Sequence, residues 1–278
     1  MRRTLILTAA ASMVAVAGCG GMSGQSSPSP QAGQNATSSP AARVAAAYTT
    51  TTQAKTAKLN FNQLTEIAGR RSGQLSGQGA VNFSTDATTM TLTTAGGGKF
   101  RVREIGDQLY LGPSAGAPSK LPAGKSWLSL NTTKTGSKNL GAYSKFKSGV
   151  VTNPTKMLDY LRGVSRVDIN GNGEVGGVTT TRYTTTVNID KLLPQLDPSG
   201  KKAMQSVKKQ LDSNTFPMQI WVDDQGRIRK GEVKLRFTRQ DQQASVTTTV
   251  TLSQFGTDVT ISQPPEAKIA TLAGLKQK

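Results

Sequence analysis

The sequence predicts a mainly β fold of the α+β class, with about ten mostly antiparallel strands and two or three helices. The first observation is the alternation of apolar and polar residues in segments such as 216–222 and 246–252, which is typical of half-buried antiparallel strands. The second is the regular occurrence of Gly, Pro and Asp turn residues between these segments. The third is length, since the roughly 235 residues after position 42 suit one β-rich domain.

The first half of this domain begins with a weakly helical segment and continues with short strands. Apolar residues fall near helical spacing over 41–57, which predicts a helix there. The three glycines at 96–98 predict a hairpin turn further along. Alternating segments predict strands near 59–62, 75–83, 90–92, 100–102, 108–111 and 126–130.

A second helix and a hairpin are predicted near the middle of the chain. Asn153-Pro154 predicts a helix start, because Asn caps helices and Pro suits the first helical position. Gly163 predicts the end of this helix. A hairpin is then predicted over 164–189, with its turn at 171–173 (Gly-Asn-Gly).

The last third of the chain contains an amphipathic helix and the most regular strands. The helix is predicted to begin at Asp197 or Pro198 and to run to about Leu211, with Met204 and Val207 on its apolar side. We interpret this apolar side as facing the core, and a membrane-active helix is the alternative. Strands are predicted at 216–222, 228–237, 246–252 and 259–261.

The first nineteen residues have the pattern of an export signal. A basic segment, 1–3, precedes an uncharged apolar run, 5–17, as in a secretory signal peptide. The run is too short to span a membrane, which takes about 20 residues. It leads into Val16-Ala17-Gly18-Cys19, which resembles a bacterial lipobox, where the bond before the cysteine is cut and the thiol is acylated. A plain secretory signal with an incidental cysteine is the alternative.

The predicted organisation has three parts. Residues 1–18 form a lipoprotein signal peptide, cleaved between Gly18 and Cys19. Residues 19–42 form a flexible tether, because a segment without charged or aromatic side chains cannot bury enough apolar surface to offset its ordering entropy. Residues 43–278 form a single domain. We therefore expect an exported protein, lipid-anchored through Cys19 to the outer face of the cell membrane.

The charge balance indicates an anionic partner. The sequence has 34 Lys and Arg against 16 Asp and Glu, a formal net charge of +18. We predict no nucleic-acid partner, because exported proteins rarely meet nucleic acid. Lipid head groups and wall polymers are nearer, and anionic membranes attract each Lys or Arg by about 1 kcal/mol. Solubility alone is the alternative explanation of the charge.

The residue content argues against catalysis. The chain has no histidine, which excludes Ser-His-Asp triads, Cys-His dyads and His-ligated zinc. Its only cysteine is assigned to the lipid. Enzymes built on carboxylate pairs or Ser-Lys dyads remain open, but no motif marks them. We therefore predict no enzymatic activity, no cofactor and no metal site.

Several segments together resemble a known family. The strongest resemblance lies in residues 216–228. This segment consists of a strand, the sequence Trp-Val-Asp-Asp-Gln-Gly and the start of a second strand. The other segments are the lipobox, 153–161, 178–190, 255–259 and Pro264-Pro265. In this order they resemble the actinobacterial LppX/LprG-like lipoproteins, which belong with the LolA-like lipoprotein carriers.

The resemblance implies a LolA-like half-barrel, in which one strongly curved antiparallel sheet carries helices across its concave face. It also implies a hydrophobic cavity between sheet and helices that takes acyl chains or glycolipids and carries them within the cell envelope. An acyl chain gains about 0.8 kcal/mol for each buried CH₂, so such a site requires few polar groups. The candidate cavity residues are Leu75, Val81, Phe83, Met90, Leu92, Phe100, Val102, Met157, Leu161, Met204, Val207, Leu211, Met218, Ile220, Val233 and Leu235.

Two functional hypotheses follow from these observations. The first is a membrane-anchored carrier whose partners are a lipid or acylated ligand and the membrane itself. The second is a structural or regulatory envelope lipoprotein that does not carry lipid and binds an anionic wall polymer or a membrane partner through its basic surface. For both we expect a monomer.

Overall fold

The computed structural model describes residues 39–113, 121–131, 153–239 and 241–271. The predicted signal peptide, Gly18, Cys19 and the tether up to residue 38 lie outside these residues. The first helix of the described residues begins at Pro40, three residues before the predicted domain start at Arg43.

Within the described residues, one open sheet of twelve strands dominates the fold, in the order β12-β6-β5-β4-β3-β2-β1-β11-β10-β9-β8-β7. Neighbouring strands are antiparallel except for the parallel pair β12–β6. The mainly β, antiparallel prediction is confirmed, with twelve strands instead of about ten. The strands are β1 (Thr56–Ile67), β2 (Arg70–Asn82), β3 (Ala87–Thr94), β4 (Lys99–Ile105), β5 (Gln108–Pro113), β6 (Trp127–Asn131), β7 (Val164–Val175), β8 (Val178–Asn188), β9 (Thr215–Asp223), β10 (Ile228–Arg239), β11 (Gln242–Ser253) and β12 (Ile269–Thr271).

Alternation along the strands gives the sheet two different faces, which we call inner and outer. On β1, the inner residues Leu59 and Phe61 are 1% and 3% exposed, whereas Asn60 and Asn62, which alternate with them, are exposed on the outer face. Inner residues pair with inner residues across the sheet, as Leu59 does with Leu252 of β11. The main hydrophobic cluster therefore lies on the inner face, as expected for an antiparallel sheet with one largely solvated side.

The backbones of β2 and β3 approach each other closely at Gly79. Gly79 of β2 pairs with Leu59 and Met90, both inner residues. A Cβ placed on Gly79 would lie only 1.9 Å from the carbonyl oxygen of Thr89. Only a residue without a side chain allows the backbone of β3 to approach β2 this closely.

The helices lie against part of the inner face. Helix α1 (Pro40–Gln53) starts at Ser39, whose side chain accepts a hydrogen bond from the Ala42 amide. It contacts β7, β10 and a 3₁₀ helix at Pro154–Gly163. Thr51 ties α1 to β10, because its hydroxyl accepts a hydrogen bond of 2.8 Å from the Ile228 amide.

Two further α-helices follow β8. Helix α2 (Ile189–Leu192) packs against the 3₁₀ helix and β8. Helix α3 (Pro198–Lys208) begins where predicted, and the Asp197 side chain caps it by accepting a 2.7 Å hydrogen bond from the Gly200 amide. None of the helices within the described ranges is long and apolar enough to cross a membrane.

Three local predictions are wrong. The first concerns only the cap of the helix predicted from Pro154 to Gly163: the helix is present with these bounds, as a 3₁₀ helix, but the Asn153 side chain makes no capping hydrogen bond. The hairpin turn lies at Gly176-Gly177, not at 171–173, because both glycines there adopt the positive φ angles that a tight hairpin turn requires. Residues 171–173 instead lie within β7, where the register with β8 shifts. Residues 259–261 do not form a strand.

A buried ion cluster stabilises the turn between β9 and β10. The carboxylate of Asp223 is 0% exposed and lies 2.9 Å from the guanidinium of Arg227 and 2.7 Å from that of Arg229. It also accepts the Arg227 backbone amide at 2.8 Å. Both guanidinium groups stack on the Phe255 ring, at 4.8 and 5.0 Å from its centroid. Burial raises the pKa of Asp223, but these hydrogen bonds and charges outweigh it and leave the pKa below its ordinary value.

Candidate functional site

The sixteen residues predicted to line a cavity all belong to the core or pack against it. This places them together on the inner side of the sheet and on the helical elements that cover it. Ten of them are buried, with exposed fractions of 6% or less: Val81, Met90, Leu92, Val102, Met157, Leu161, Met204, Met218, Ile220 and Val233. The other six are half-buried: Leu75, Phe83, Phe100, Val207, Leu211 and Leu235.

The half-buried members, apart from Phe83, lie away from α1. Ile228, at the start of β10, bonds to α1, whereas Leu235 lies towards the other end of the same strand. Leu211 reaches this end too, since it forms an isolated bridge with Phe237 of β10. The inner face is therefore closely packed beneath α1 and the 3₁₀ helix and less completely covered towards the far ends of β2 and β10.

A hollow of about 270 Å³, which we call the helix-side pocket, opens between α1, the end of β2 and the 3₁₀ helix. Two of the predicted cavity residues, Val81 and Phe83, line it. Its volume lies just below the range of about 300–1,000 Å³ typical of small-molecule sites. Its lining consists of Tyr48, Thr52, Val81, Phe83, Asp86, Thr155, Lys156, Leu158, Asp159, Arg162, Gln195, Leu196 and Asp197.

A three-residue network forms one side of this pocket. The Tyr48 hydroxyl donates a hydrogen bond of 2.9 Å to Asp159 and accepts one of 2.6 Å from Arg162. Arg162 also lies 3.5 Å from the Asp159 carboxylate. Because Tyr48 is on α1 and the other two residues are on the 3₁₀ helix, the network fixes these two elements relative to each other.

A lysine bridges the other side of the pocket. The ammonium group of Lys156 lies 2.7 Å from Asp86 and 3.7 Å from Asp197. Asp86 follows β2 and Asp197 caps α3, so this lysine connects the 3₁₀ helix to both. The cationic and anionic groups of the rim thus come from three separate segments of the chain.

The environment shifts the pKa values of these rim groups. Burial raises the pKa of Asp159. The hydrogen bond from Tyr48 and the positive charge of Arg162 lower this pKa by a smaller amount, so it stays above its ordinary value. Burial lowers the pKa of Lys156, but the hydrogen bond to Asp86 and the charges of the nearby carboxylates outweigh it and raise the pKa overall. Tyr160, buried behind the rim, has its pKa raised by burial to about 12. The phenol of Tyr160 is therefore neutral at physiological pH.

The helix-side pocket combines two chemistries. Val81, Phe83, Leu158 and Leu196 supply apolar surface, while the rim supplies both charges and a phenol. An amphiphile matches this arrangement, because its alkyl part can lie on the apolar surface while its polar group meets the rim. Within the described segments, no three His, Cys, Asp or Glu side chains are grouped so that they could hold a metal ion.

A second hollow, of about 530 Å³, lies on the opposite face of the sheet, and we call it the outer-face pocket. The sequence did not indicate this pocket. The polar residues that alternate with apolar ones along an antiparallel strand normally face water, so they do not mark a binding site. It is lined by Asn60, Phe61, Asn62, Ser76, Gly77, Gln78, Thr91, Thr93, Lys99, Thr249 and Thr251.

Comparison with known families identifies the chain. The sequence profile of the LppX_LprAFG lipoprotein family matches residues 123–261. The chain belongs to this family. Membership in the LppX_LprAFG family confirms the resemblance that the sequence indicated. No curated protein matches the sequence.

Solved structures similar to this LppX_LprAFG member include two mycobacterial lipoproteins. LppX of Mycobacterium tuberculosis has 15% identity and a TM-score of 0.48, over 80% of this chain and 98% of LppX. LprF of Mycobacterium bovis has 10% identity and a TM-score of 0.41, over 81% of this chain and 96% of LprF. A LolA superfamily protein from Nitrosomonas europaea has 8% identity and a TM-score of 0.27, over 76% of this chain and 94% of that protein.

Proposed function

We propose that this protein is an exported, membrane-anchored lipoprotein that binds the acyl part of a lipid and carries it within the cell envelope. The observation that carries the proposal is the helix-side pocket, where apolar side chains lie beneath a charged rim. The alkyl part would lie against Val81, Phe83 and Leu158, and the polar group would meet Arg162 or Lys156. This is a binding function, and no bond is made or broken.

The energetics favour such a ligand. Each buried CH₂ contributes about 0.8 kcal/mol, so a short alkyl segment already supplies several kcal/mol without a specific polar contact. The volume of about 270 Å³ holds only part of a long chain. The rest of the chain would contact further apolar surface, for which the less completely covered part of the inner face, near Leu75 and Leu235, is available.

Filling the pocket tests this assignment. Thr52 is a half-buried lining residue on α1, so Thr52→Trp places an indole in the pocket without changing the core. We expect affinity for a pyrene-labelled hexadecanoate to fall at least about tenfold, because the alkyl segment loses its space. Fluorescence titration of the purified protein measures this change.

The matched control is Gln53→Trp, which places the same side chain on the neighbouring, exposed position of α1 outside the pocket. Its affinity should equal that of the wild type. Equal affinities for Thr52→Trp and the wild type would show that the helix-side pocket does not bind the alkyl segment. Native mass spectrometry of protein purified from its host should show a bound lipid, and consistent absence of one would contradict the carrier role.

The membrane anchor is tested separately. We propose that Cys19 is acylated after cleavage behind Gly18, and Cys19→Ser removes the thiol that takes the lipid. The variant should leave the membrane fraction almost completely, because an apolar chain contributes about 0.8 kcal/mol per CH₂ to membrane binding. Cell fractionation and mass spectrometry of the N-terminal peptide check this result. A wild-type peptide that begins at Cys19 without an acyl mass would overturn it.

A further inference from the structure

The outer-face pocket has no role in the lipid-binding proposal. Its volume of about 530 Å³ falls well within the range of small-molecule and ligand sites. It lies on the side of the sheet away from the core and the helices, and its polar side chains are amides, hydroxyls and one ammonium group. Phe61 also borders the pocket, but it is only 3% exposed and belongs to the inner face, so the accessible lining suits a ligand that is polar over its whole length.

Residues in consecutive strands form one continuous row across this pocket. Gln78 pairs directly with Thr91 on one side and with Asn60 on the other, and Asn60 pairs with Thr251. The side chains of Asn60, Gln78 and Thr91 are exposed and make no hydrogen bond to any other residue that the structure describes. Their donors and acceptors are therefore available to a ligand.

Basic residues continue the row at both ends. Thr91 pairs with Arg101 of β4, and Thr251 pairs with Lys230 of β10. Each cation is held by a tryptophan, since Arg101 lies 4.9 Å from the Trp127 ring centroid and Lys230 lies 4.1 Å from that of Trp221. With strands about 4.8 Å apart, the row from Arg101 to Lys230 spans roughly 24 Å.

Further positive charge surrounds the pocket. Lys99 lines it, and Arg103 shares the Trp127 ring with Arg101 at 4.9 Å. The carboxylate of Glu232 lies 3.1 Å from Lys230 and offsets part of this charge. The result is a neutral, hydrogen-bonding centre with a predominantly basic border, in a chain with a net charge of +18.

We propose that the outer-face pocket binds an extended, hydroxyl-rich glycan that carries negative charge, lying across the strands. Amide and hydroxyl side chains hydrogen-bond to sugar hydroxyls, and the basic border attracts the acidic groups of such a polymer. This proposal is independent of lipid binding, because the two pockets lie on opposite faces of the sheet and share no residue.

Three defined polymers test the proposal on the whole protein. These are oligogalacturonate, which has hydroxyls and carboxylates, dextran oligomers, which have hydroxyls only, and oligoglutamate of matched length, which has carboxylates only. Calorimetry should give the tightest binding for oligogalacturonate, with an affinity that falls as salt rises. Equal binding of oligoglutamate would overturn the proposal, because charge alone would then explain the interaction.

Two variants locate the site. Asn60→Ala combined with Gln78→Ala leaves the net charge unchanged and should weaken oligogalacturonate binding about tenfold through lost hydrogen bonds. Lys99→Glu should weaken oligogalacturonate binding much more than dextran binding, because only oligogalacturonate carries carboxylates. All three positions lie on the solvated face, and circular dichroism checks that the variants are folded.

The control removes charge elsewhere. Lys201→Ala with Lys209→Ala changes two exposed lysines at α3, outside both pockets, and should alter the affinity for oligogalacturonate less than about threefold. A larger loss in this control than in the Asn60 and Gln78 variant would overturn the assignment. Thr52→Trp should leave glycan binding unchanged, which separates this result from the lipid test.

Discussion

Asp223→Ala is expected to destabilise the fold by about 3 kcal/mol, because it removes the carboxylate on which a buried ion cluster depends. The Asp223 side chain is fully buried, while Arg227 and Arg229 keep only 21% and 13% of their side chains exposed. Without the carboxylate, two guanidinium groups and the Arg227 amide lose their partner where water reaches them poorly. Urea unfolding followed by circular dichroism measures the change in the free energy of unfolding.

The neighbouring residue provides the control. Asp224 belongs to the same turn but is exposed, so Asp224→Ala should change the free energy of unfolding by less than about 0.5 kcal/mol. If both variants lost the same stability, the turn itself and not the ion cluster would be responsible.

The same carboxylate predicts a dependence on pH. The pKa of Asp223 is lower in the folded protein than in the unfolded chain, so the ionised form stabilises the fold. This contribution is complete above the unfolded pKa of about 3.9 and is lost as pH falls through the folded pKa. The difference in stability between wild type and Asp223→Ala should therefore shrink below about pH 4.

Gly79→Ala is expected to cost about 3 kcal/mol or more, because the added methyl group would overlap the backbone of β3. The new Cβ would lie 1.9 Å from the Thr89 carbonyl oxygen and 2.9 Å from the Met90 Cα. Backbone atoms cannot turn aside as a flexible side chain can, so β2 and β3 must separate and weaken their hydrogen bonds. Thermal unfolding should show a midpoint lowered by several degrees, or no cooperative transition.

Gly96→Ala is the matched control, since a Cβ on Gly96 meets no atom within 4 Å and its φ angle is not in the left-handed region. Its stability should stay within about 0.5 kcal/mol of the wild type. An unchanged melting temperature for Gly79→Ala would mean that the close approach of β2 and β3 at Gly79 is not needed for folding.

The sequence predicted which strand residues face the core, because successive side chains of a strand point to opposite faces of the sheet. Met218, Ile220 and Val233 are all buried, as the pattern indicated. The position of the β7–β8 turn was harder, since 171–173 and 176–177 both carry glycines that suit a turn. The turn position is set by the register of β7 against β8 along the whole hairpin. Register depends on both paired strands, so the glycines of one segment do not reveal it.

The pockets could be predicted only in part. Val81 and Phe83 were identified from strand alternation, but Tyr48, Asp159 and Arg162 were not, because their proximity depends on how α1 packs on the 3₁₀ helix. The ion cluster at Asp223 was missed for a related reason. The sequence indicates a turn there, whereas Phe255, on which both arginines stack, comes from a distant segment. The three-residue strand β12 is too short to produce a periodic signal.

The geometry of the edge strand β7 affects whether copies of the protein aggregate at high concentration. An open sheet risks adding a strand from another copy, which leads to aggregation. The register of β7 with β8 shifts at two places, between Val164 and Arg166 and between Ile169 and Asn172. Such irregularities twist the free backbone away from the straight geometry that an incoming strand needs, and the charges of Arg166 and Asp168 add to the obstacle. The geometry and charge of this edge thereby discourage self-association.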